Sequence, residues 1–192
     1  MTEPDISTTD AILRRHGIDY VIIGGQAIAR TAATTTQDID VMVTTTGYET
    51  AIERLRGEPD LTFDWESDRT ARFRIRSLGG VPLDIVNAAT FSGNKTGEDF
   101  FAYLAGEGSS EHEGIRYAAP EMVWYTRLLT KRWRAYAEKI VTNVIDGVAA
   151  DRLGKVEEIA QRFGTEPTVK PRIQHVRTEL SRPDVQAIVR SG

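Results

Sequence analysis

The sequence predicts an α+β protein in which a small mixed sheet with flanking helices is followed by a helical C-terminal part. Three observations predict this fold class. Short apolar runs alternate with helix-compatible stretches through residues 1–119, as in mixed folds. Two alternating segments flank Gly79-Gly80, which is typical of a hairpin. From Pro120 onward, apolar residues recur at three- and four-residue steps. We therefore expect two parts, 1–119 and 120–192.

The first elements follow from local signals. Helix-capping residues open the stretch 8–16 and Gly17 follows it, so a helix is expected there. The continuous apolar run 20–23 predicts a short buried strand. Gly24-Gly25 comes directly after this run and ends the strand.

Five further segments continue the alternation. The alanine-rich stretch 26–33 suits a helix, and residues 38–43, in which aspartates alternate with apolar residues, predict the next strand. Apolar residues at helical spacing predict a helix over 49–55. Segments 61–65 and 72–76 alternate apolar and polar residues, as half-buried strands do.

The end of the first part contains a hairpin, a loop and a last strand. The run 81–86 is expected to pair with 72–76 across the glycine turn. Residues 87–113 are rich in glycine, serine, asparagine and charge, which predicts a loop with one short helix near 99–104. Residues 115–117 are expected to form another strand.

The C-terminal part is predicted to consist of helices. An apolar stripe at three- and four-residue steps predicts a helix that runs on from Pro120. Further helices are expected at about 149–163 and, in a tail with three prolines, near 172–180. The stripe consists of Met122, Tyr125, Leu129, Trp133 and Tyr136.

Composition excludes several classes of function. The chain of 192 residues has no cysteine, which excludes disulfides, a thiol nucleophile and thiolate zinc sites. Its three histidines are scattered, which argues against a histidine metal site. No apolar run approaches the roughly 20 residues of a membrane span, and the acidic N-terminus has no signal-peptide core. We expect a cytoplasmic protein without a membrane partner.

Charge is unevenly distributed along the chain. The net charge is -4, but residues 1–121 hold 11 basic against 20 acidic side chains, whereas 122–192 hold 13 against 8. Ordinary surface variation is one interpretation of this difference. The functional interpretation is an acidic, metal-holding part beside a basic part that faces an anion.

The residues that carry chemistry follow two of the predicted strands. Gly24 and Gly25 allow the backbone to approach a ligand closely, such as a phosphate group. Asp38 and Asp40 are two residues apart, so their side chains project from the same face of a strand. Neighbouring carboxylates repel each other unless a cation compensates, and hard oxygen ligands suit Mg²⁺. We therefore predict a magnesium site here.

A third carboxylate, Asp84, lies in the mostly apolar run 81–86. A buried isolated carboxylate is costly, so its presence needs an explanation. The functional interpretation is that Asp84 shares the metal with the first two acids. The alternative is an ion pair across the hairpin with Arg74 or Arg76.

Gly24, Gly25, Asp38, Asp40 and Asp84, in this order, resemble the motif of the nucleotidyltransferase superfamily with the DNA polymerase β-like fold. The resemblance implies a polymerase β-like core, two Mg²⁺ ions, a nucleoside triphosphate donor and transfer of a nucleoside monophosphate. Within the superfamily, the chain is similar to the AbiEii- or MenT-type toxins of bacterial toxin–antitoxin pairs. Several of those toxins modify the acceptor end of tRNA and so block translation.

The resemblance also points to residues outside the motif. Relatives often carry Arg-x-Thr just before Asp-x-Asp; here Thr34 replaces the arginine and Thr36 is kept, so Thr36 is expected to bind nucleotide. A later cation and acid are implied as well. Lys131 is the first candidate for the cation at the triphosphate and Arg127 the second, with Asp146 as the acid.

The basic candidates have a simpler interpretation as well. Arg127, Lys131 and Arg134 are spaced to share one face of the predicted helix, which suits either a solvated surface or contact with a triphosphate or RNA. Arg72, Arg74 and Arg76, likewise spaced along a strand, suit either a solvated face or the steering of a polyanion.

The function that this sequence favours is Mg²⁺-dependent nucleotidyl transfer to an RNA acceptor, with the tRNA 3′ end as the leading choice and a toxin role. A cognate antitoxin that phosphorylates Thr34–Thr36 would place negative charge beside the carboxylates and switch the enzyme off. The alternatives are a small-molecule acceptor such as an antibiotic, a protein acceptor, or an inactive module that binds a nucleotide or partner.

Overall fold

The computed structural model describes residues 6–32 and 36–191, and in this part of the chain seven strands form one mixed sheet. The sheet order is β3-β4-β5-β2-β1-β7-β6. The pairs β2–β5 and β1–β7 are parallel, and the other neighbours are antiparallel. The strands are β1 (Val21–Ile23), β2 (Ile39–Val43), β3 (Leu61–Glu66), β4 (Thr70–Ile75), β5 (Val81–Asn87), β6 (Ser109–His112) and β7 (Ile115–Ala118).

Helices flank the sheet and make up most of the chain after β7. Short 3-10 helices occupy Arg76–Leu78 and Ala88–Phe91. The α-helices are α1 (Ile6–Arg15), α2 (Gly24–Ala29), α3 (Thr45–Arg56), α4 (Gly97–Ala105), α5 (Pro120–Leu129), α6 (Trp133–Ile145), α7 (Arg152–Arg162), α8 (Glu166–Leu180) and α9 (Pro183–Ser191). The predicted fold class, a mixed sheet with flanking helices followed by a helical C-terminal part, is confirmed.

The sheet buries both of its faces over its central strands, because side chains alternate along each strand. Ile39 and Val41 of β2 belong to an apolar cluster with α1 and α3. Met42 of β2 and Val86 of β5 belong to a second cluster, with α2 and the helices from α4 onward. We call the first side the α3 face and the second side the helical face.

The predicted helix through the apolar stripe is wrong in one respect, because α5 and α6 are separate helices. Thr130 is extended, with ψ 162°. Arg172 of α8 donates hydrogen bonds to the carbonyl oxygens of Leu128 and Thr130, which satisfies groups that the end of a helix leaves free. Arg127, Lys131 and Arg134 therefore do not share one helical face.

Two further differences concern irregular regions. Residues 87–113 contain strand β6 as well as the expected short helix. Helix α8 begins six residues before the predicted tail helix and runs through Pro171. Burial of Val169 and Ile173 on either side of Pro171 accounts for this, since packing outweighs the helix-breaking tendency of one proline.

The sequence boundary predicted after residue 119 lies between β7 and α5. Apolar packing continues across this boundary. The Tyr125 ring of α5 stacks on Phe100 of α4 at 5.8 Å between ring centroids, and it lies 6.3 Å from Phe163. In the described part of the chain, no helix combines the length and the hydropathy needed to cross a bilayer.

Candidate active site

Three carboxylates meet on the helical face of the sheet. Asp40 of β2 lies directly beside Asp84 of β5 in the parallel register, and Asp38 comes just before β2. One carboxylate oxygen from each residue lies within 4.8 Å of the others. These are the three acids that the sequence predicts to share a metal, and their oxygens form a donor set that suits a hard divalent cation.

The three carboxylates bring several negative charges close together. Burial raises the pKa of the Asp40 carboxyl to about 7, and the charges of Asp38 and Asp84 act in the same direction. Arg127 and Arg72 oppose that shift. Three carboxylates at this separation repel one another, so a cation bound among them would relieve the repulsion.

Asp84 also has a partner on the neighbouring strand. The Arg72 guanidinium donates Nε to Oδ1 at 2.7 Å and a terminal nitrogen to Oδ2 at 2.6 Å. This pair holds the pKa of Arg72 above its usual range. The alternative partners from the sequence bond elsewhere: Arg74 pairs with Asp64, and Arg76 donates to a threonine hydroxyl. Because each carboxylate oxygen has two lone pairs, Arg72 leaves Asp84 able to bind a cation.

Gly24 is required by the approach of Asp40. Gly24 starts α2 with φ +69°, and a Cβ there would overlap the Asp40 carboxylate. A Cβ on Gly25 would come within 2.6 Å of the Thr36 hydroxyl. Both glycines line the cleft, and their predicted contact with phosphate stays a prediction. The close approach of these side chains is a packing reason for both glycines, and their spacing in the sequence does not reveal it.

Thr36 supports the first carboxylate. Its hydroxyl donates to Asp38 Oδ1 at 2.9 Å and lies 3.2 Å from the Asp38 carbonyl oxygen. Thr36 also lines the cleft, where a nucleotide would be close to it. Thr34 and Thr35, the other residues of the predicted phosphorylation segment, lie outside the described residues.

The opposite wall of the cleft carries a half-buried cation. Arg127 of α5 donates to Asn143 Oδ1 at 3.3 Å, and its guanidinium lies 5.7 Å from the Tyr136 ring centroid. Burial lowers the pKa of Arg127, while the charges of Asp40 and Asp38 raise it. Among the described residues no carboxylate forms an ion pair with Arg127, so its charge is available to an anionic ligand.

Asn143 fixes the position of Arg127. Its side-chain oxygen accepts from Arg127 and from the indole Nε1 of Trp124, each at 3.3 Å. Trp124 is fully buried, so the amide is anchored to the core. Sequence analysis did not find Asn143, because its role depends on how α5 packs against α6.

Two sequence-predicted residues lie away from the acids. Lys131 is exposed in the turn between α5 and α6, and Asp146 follows the end of α6; neither is among the residues that line the cleft. Arg132, Tyr136 and Lys139 line it instead. Their spacing of four and three residues is a signal, present in the sequence, of residues that share one helical face.

The cleft has a volume of about 510 Å³. Its sheet wall carries the carboxylates and Arg72, and its helix wall carries Arg127, Arg132 and Lys139. An acidic wall that fits a divalent cation, facing a wall of cations, suits a ligand that combines metal with several negative charges. A nucleoside triphosphate has this composition.

Comparisons with known proteins give limited similarity. No protein-family profile matches the sequence, and no curated protein matches it. Among solved structures, the chain is similar to a candidate nucleotidyltransferase from H. pylori, with TM-score 0.44, 12% identity, and 97% of this chain and 93% of that chain covered. It is similar to ANT(2″)-Ia in complex with adenylyl-2″-tobramycin, with TM-score 0.44, 15% identity, and 92% and 97% covered.

A third structure, JHP933 from Helicobacter pylori, is similar with TM-score 0.38 and 11% identity, and the match covers 100% of both chains. These identities and TM-scores are low. The activity and the substrate therefore have to be argued from the site itself.

Proposed function

We propose that this protein is a Mg²⁺-dependent nucleotidyltransferase that takes a nucleoside monophosphate from a nucleoside triphosphate. One observation carries the proposal: three carboxylates with oxygens within 4.8 Å of one another share a cleft with Arg127, a half-buried cation that has no ion-pair partner among the described residues. The carboxylates suit the metal, and the cation suits the triphosphate.

The donor set fits magnesium. Asp38, Asp40 and Asp84 would hold the metal through oxygen atoms, and the resemblance to the superfamily implies two ions. When bound, Mg²⁺ neutralises charge on the triphosphate and lowers the pKa of an acceptor hydroxyl. Arg72 and Thr36 hold the carboxylates of Asp84 and Asp38 in place through hydrogen bonds.

The reaction is an in-line displacement at the α-phosphorus. The acceptor hydroxyl oxygen forms a bond to that phosphorus, the bond to the β-bridging oxygen breaks, and pyrophosphate leaves with that electron pair. The acceptor proton passes to a carboxylate oxygen of Asp84 and then to water. Arg127 stabilises the charge on the triphosphate, with Lys139 and Arg132 on the same wall. Lys131 and Asp146 are not among the residues that line the cleft, and their roles stay predictions.

We propose RNA as the acceptor, with the tRNA 3′ end as the leading choice. The basic helix wall and the arginines of β4 support a polyanionic acceptor. An antibiotic with several amino groups is the second candidate. The excess of 20 acidic over 11 basic side chains in residues 1–121 favours this candidate.

The test is transfer of label from each α-labelled nucleoside triphosphate, with Mg²⁺, to total tRNA, to an aminoglycoside or to protein. Asp40→Asn should abolish transfer, because it removes a metal ligand while keeping the side-chain shape. The matched control, Asp68→Asn, changes an exposed acid outside the cleft and should retain full activity. Transfer by Asp40→Asn at the wild-type rate would overturn the proposal, as would no transfer to any acceptor.

A toxin role extends the proposal to the cell. Modification of the tRNA acceptor end would stop aminoacylation, so induced expression of the wild-type chain should arrest growth and expression of Asp40→Asn should not. Co-expression with the protein encoded by the neighbouring gene should restore growth if that protein is the antitoxin. Mass spectrometry of Thr34–Thr36 then tests inactivation by phosphorylation. Unimpaired growth with active wild-type protein would exclude the toxin role.

A further inference from the structure

The helical face of the sheet is covered over its central strands but open over β3 and β4. Thr62, Arg74 and Trp65 are exposed there, and Trp65 is 45% exposed. Thr70 and Arg72 of β4 line the cleft, so this open surface continues directly from the three carboxylates. We call Trp65, Thr70, Arg72, Arg74 and Arg76 the open strip.

Trp65 reaches this surface because of an irregularity in β3. Phe63 pairs with Phe73, and the next pair is Trp65 with Arg72, so Asp64 is an extra residue in β3. In a regular strand, Phe63 and Trp65 would face the same side. The extra residue turns Trp65 onto the side of Arg72, whereas Phe63 packs edge-on against Phe73 at 5.4 Å on the α3 face.

The strand register places Trp65 in the same row across the sheet as Asp84. Arg72 is the partner of Trp65 on one side and of Asp84 on the other. Adjacent strands are about 4.8 Å apart, so Trp65 lies about 10 Å from Asp84 along this row. That reach is comparable with the size of one nucleotide. The Arg72 guanidinium lies 6.0 Å from the Trp65 ring centroid, which keeps a cation beside the exposed indole.

The open strip has three guanidinium groups and only two carboxylates paired with them, Asp84 and Asp64, so its charge favours an anion over a cation. Arg72 is paired with Asp84, Arg74 with Asp64, and Arg76 donates to the Thr62 hydroxyl. A metal held by Asp84 would share that carboxylate and leave Arg72 less fully neutralised. A polyamine acceptor would meet three guanidinium groups here, whereas a phosphate backbone would pair with them.

We propose that the open strip binds the acceptor strand as single-stranded nucleic acid, with one base stacked on the Trp65 indole and the backbone phosphates on Arg74 and Arg76. An exposed aromatic side chain among cations is the combination with which proteins hold unpaired strands. This inference rests on the proposed function for the identity of the strand as acceptor. The binding itself is separately measurable.

The experiment measures fluorescence anisotropy of a short labelled single-stranded RNA with the full chain and Mg²⁺, without nucleotide. Trp65→Leu should weaken binding about tenfold, because it removes the stacking surface. Trp65→Phe keeps an aromatic ring and should stay within about threefold of the wild type. Trp65 is exposed, and an unchanged melting temperature shows that both variants fold.

Arginine variants test the backbone contacts. Arg74→Gln should weaken binding and reduce the slope of log affinity against log salt by about 1. Arg54→Gln makes the same charge change on α3, on the other side of the sheet, and should leave both quantities unchanged. Equal weakening by these two variants would overturn the inference, because it would show long-range charge attraction alone.

The remaining outcomes separate this inference from the proposed function. If Trp65→Leu binds RNA as the wild type does, or if the wild type does not bind it, the inference is overturned even when label transfer is found. If binding depends on Trp65 and Arg74 but no acceptor is labelled, the docking surface stands and the nucleotidyltransferase proposal fails.

Discussion

Asp40 has close neighbours on both sides, Gly24 at the start of α2 and Asp84 on β5. The Gly24 backbone leaves room for the Asp40 carboxylate, and Asp84 adds a second negative charge. The site therefore depends on the absence of a Cβ at Gly24 as much as on the carboxylates. A pair of glycine variants separates these contributions.

Gly24→Ala should damage the site far more than its backbone conformation explains. Gly24 and Gly79 have φ values of +69° and +71°, so alanine is strained by about 1 kcal/mol or more at either position. Only at Gly24 would the Cβ overlap a carboxylate, whereas nothing lies within 4 Å at Gly79. We expect Gly24→Ala to lose Mn²⁺ binding, measured by electron paramagnetic resonance, and Gly79→Ala to keep it. Equal Mn²⁺ affinity in both variants would contradict the packing described here.

Asp40→Asn should stabilise the metal-free protein while it removes metal binding. The substitution relieves repulsion among three carboxylates that lie close together, so we expect an increase of about 1–2 kcal/mol in the free energy of unfolding at neutral pH. Urea unfolding with chelator measures this, and added Mg²⁺ should stabilise the wild type but not Asp40→Asn. Asp68→Asn changes an exposed acid and should shift neither value by more than about 0.5 kcal/mol. A destabilised Asp40→Asn protein would show that the cluster is not under repulsive strain.

Part of the site follows from sequence spacing alone. Two acids at i and i+2 on a strand must share a face, and an acid within an apolar strand needs a partner. The Arg72–Asp84 pair and the anchoring of Arg127 by Asn143 do not follow from spacing. They depend on strand register and on helix packing, which are set by contacts between residues far apart in the chain.

At the scale of elements, the break between α5 and α6 decides which cations reach the cleft. A continuous helix would have put Lys131 on the face of Arg127. The break instead turns the chain at Thr130, so that Arg132, just before α6, and Tyr136 and Lys139 of α6 line the cleft. The apolar stripe did not reveal the break, since Leu129 and Trp133 pack against the same core from two different helices.

Arg172 stabilises the break between α5 and α6, and Arg172→Ala should destabilise it. The side chain donates to two carbonyl oxygens at the end of α5, and its loss leaves them without a protein donor. We expect a loss of about 1–2 kcal/mol in the free energy of unfolding. Nucleotide affinity should also fall, because Arg127 lies in the last turn of α5.

The matched control is Lys170→Ala on the same helix. Lys170 forms an exposed pair with Glu166 at 3.3 Å, so its removal should cost about 0.5 kcal/mol or less. Urea unfolding gives the stability of both variants, and isothermal titration gives nucleotide affinity. Equal stability of the two variants would show that Arg172 does not hold the end of α5.

The strands and helices of the core were predictable, because apolar residues recur at one regular spacing along each of them. The elements that differ from prediction are short or irregular: β6, α9, the break at Thr130, and the passage of α8 through Pro171. In each case tertiary contacts outweigh the local signal. The bulge at Asp64 belongs to the same group, since a run of alternating residues does not show where one residue is skipped.

For the molecule as a whole, one apolar cluster joins the sheet to the C-terminal helices. Trp124 and Tyr125 of α5 are fully buried, and Phe163 at the end of α7 packs on Phe100 of α4 at 4.9 Å between ring centroids. The charge difference along the chain therefore does not correspond to two separate cores. The cleft lies where the two parts meet, with carboxylates from one and cations from the other.

A fragment of residues 1–119 should not fold on its own. Its loss of α5 and α7 uncovers several large side chains, each worth about 1.5–3 kcal/mol of burial, against a total stability of about 5–15 kcal/mol for a typical domain. We expect no cooperative transition in urea and poor dispersion of amide signals by nuclear magnetic resonance. A fragment that ends at residue 181, without α9, should still unfold cooperatively. Cooperative unfolding of 1–119 would show that the sequence boundary is also a folding boundary.

The extra residue at Asp64 has a consequence beyond the placement of Trp65. β3 is an edge strand of the sheet, and an exposed, regular edge is a template on which a second chain can add a strand and start aggregation. The bulge interrupts the regular ladder of β3, and Glu66 and Asp64 add charge along it. The irregularity that shapes the open strip therefore also protects the sheet against edge-to-edge polymerisation.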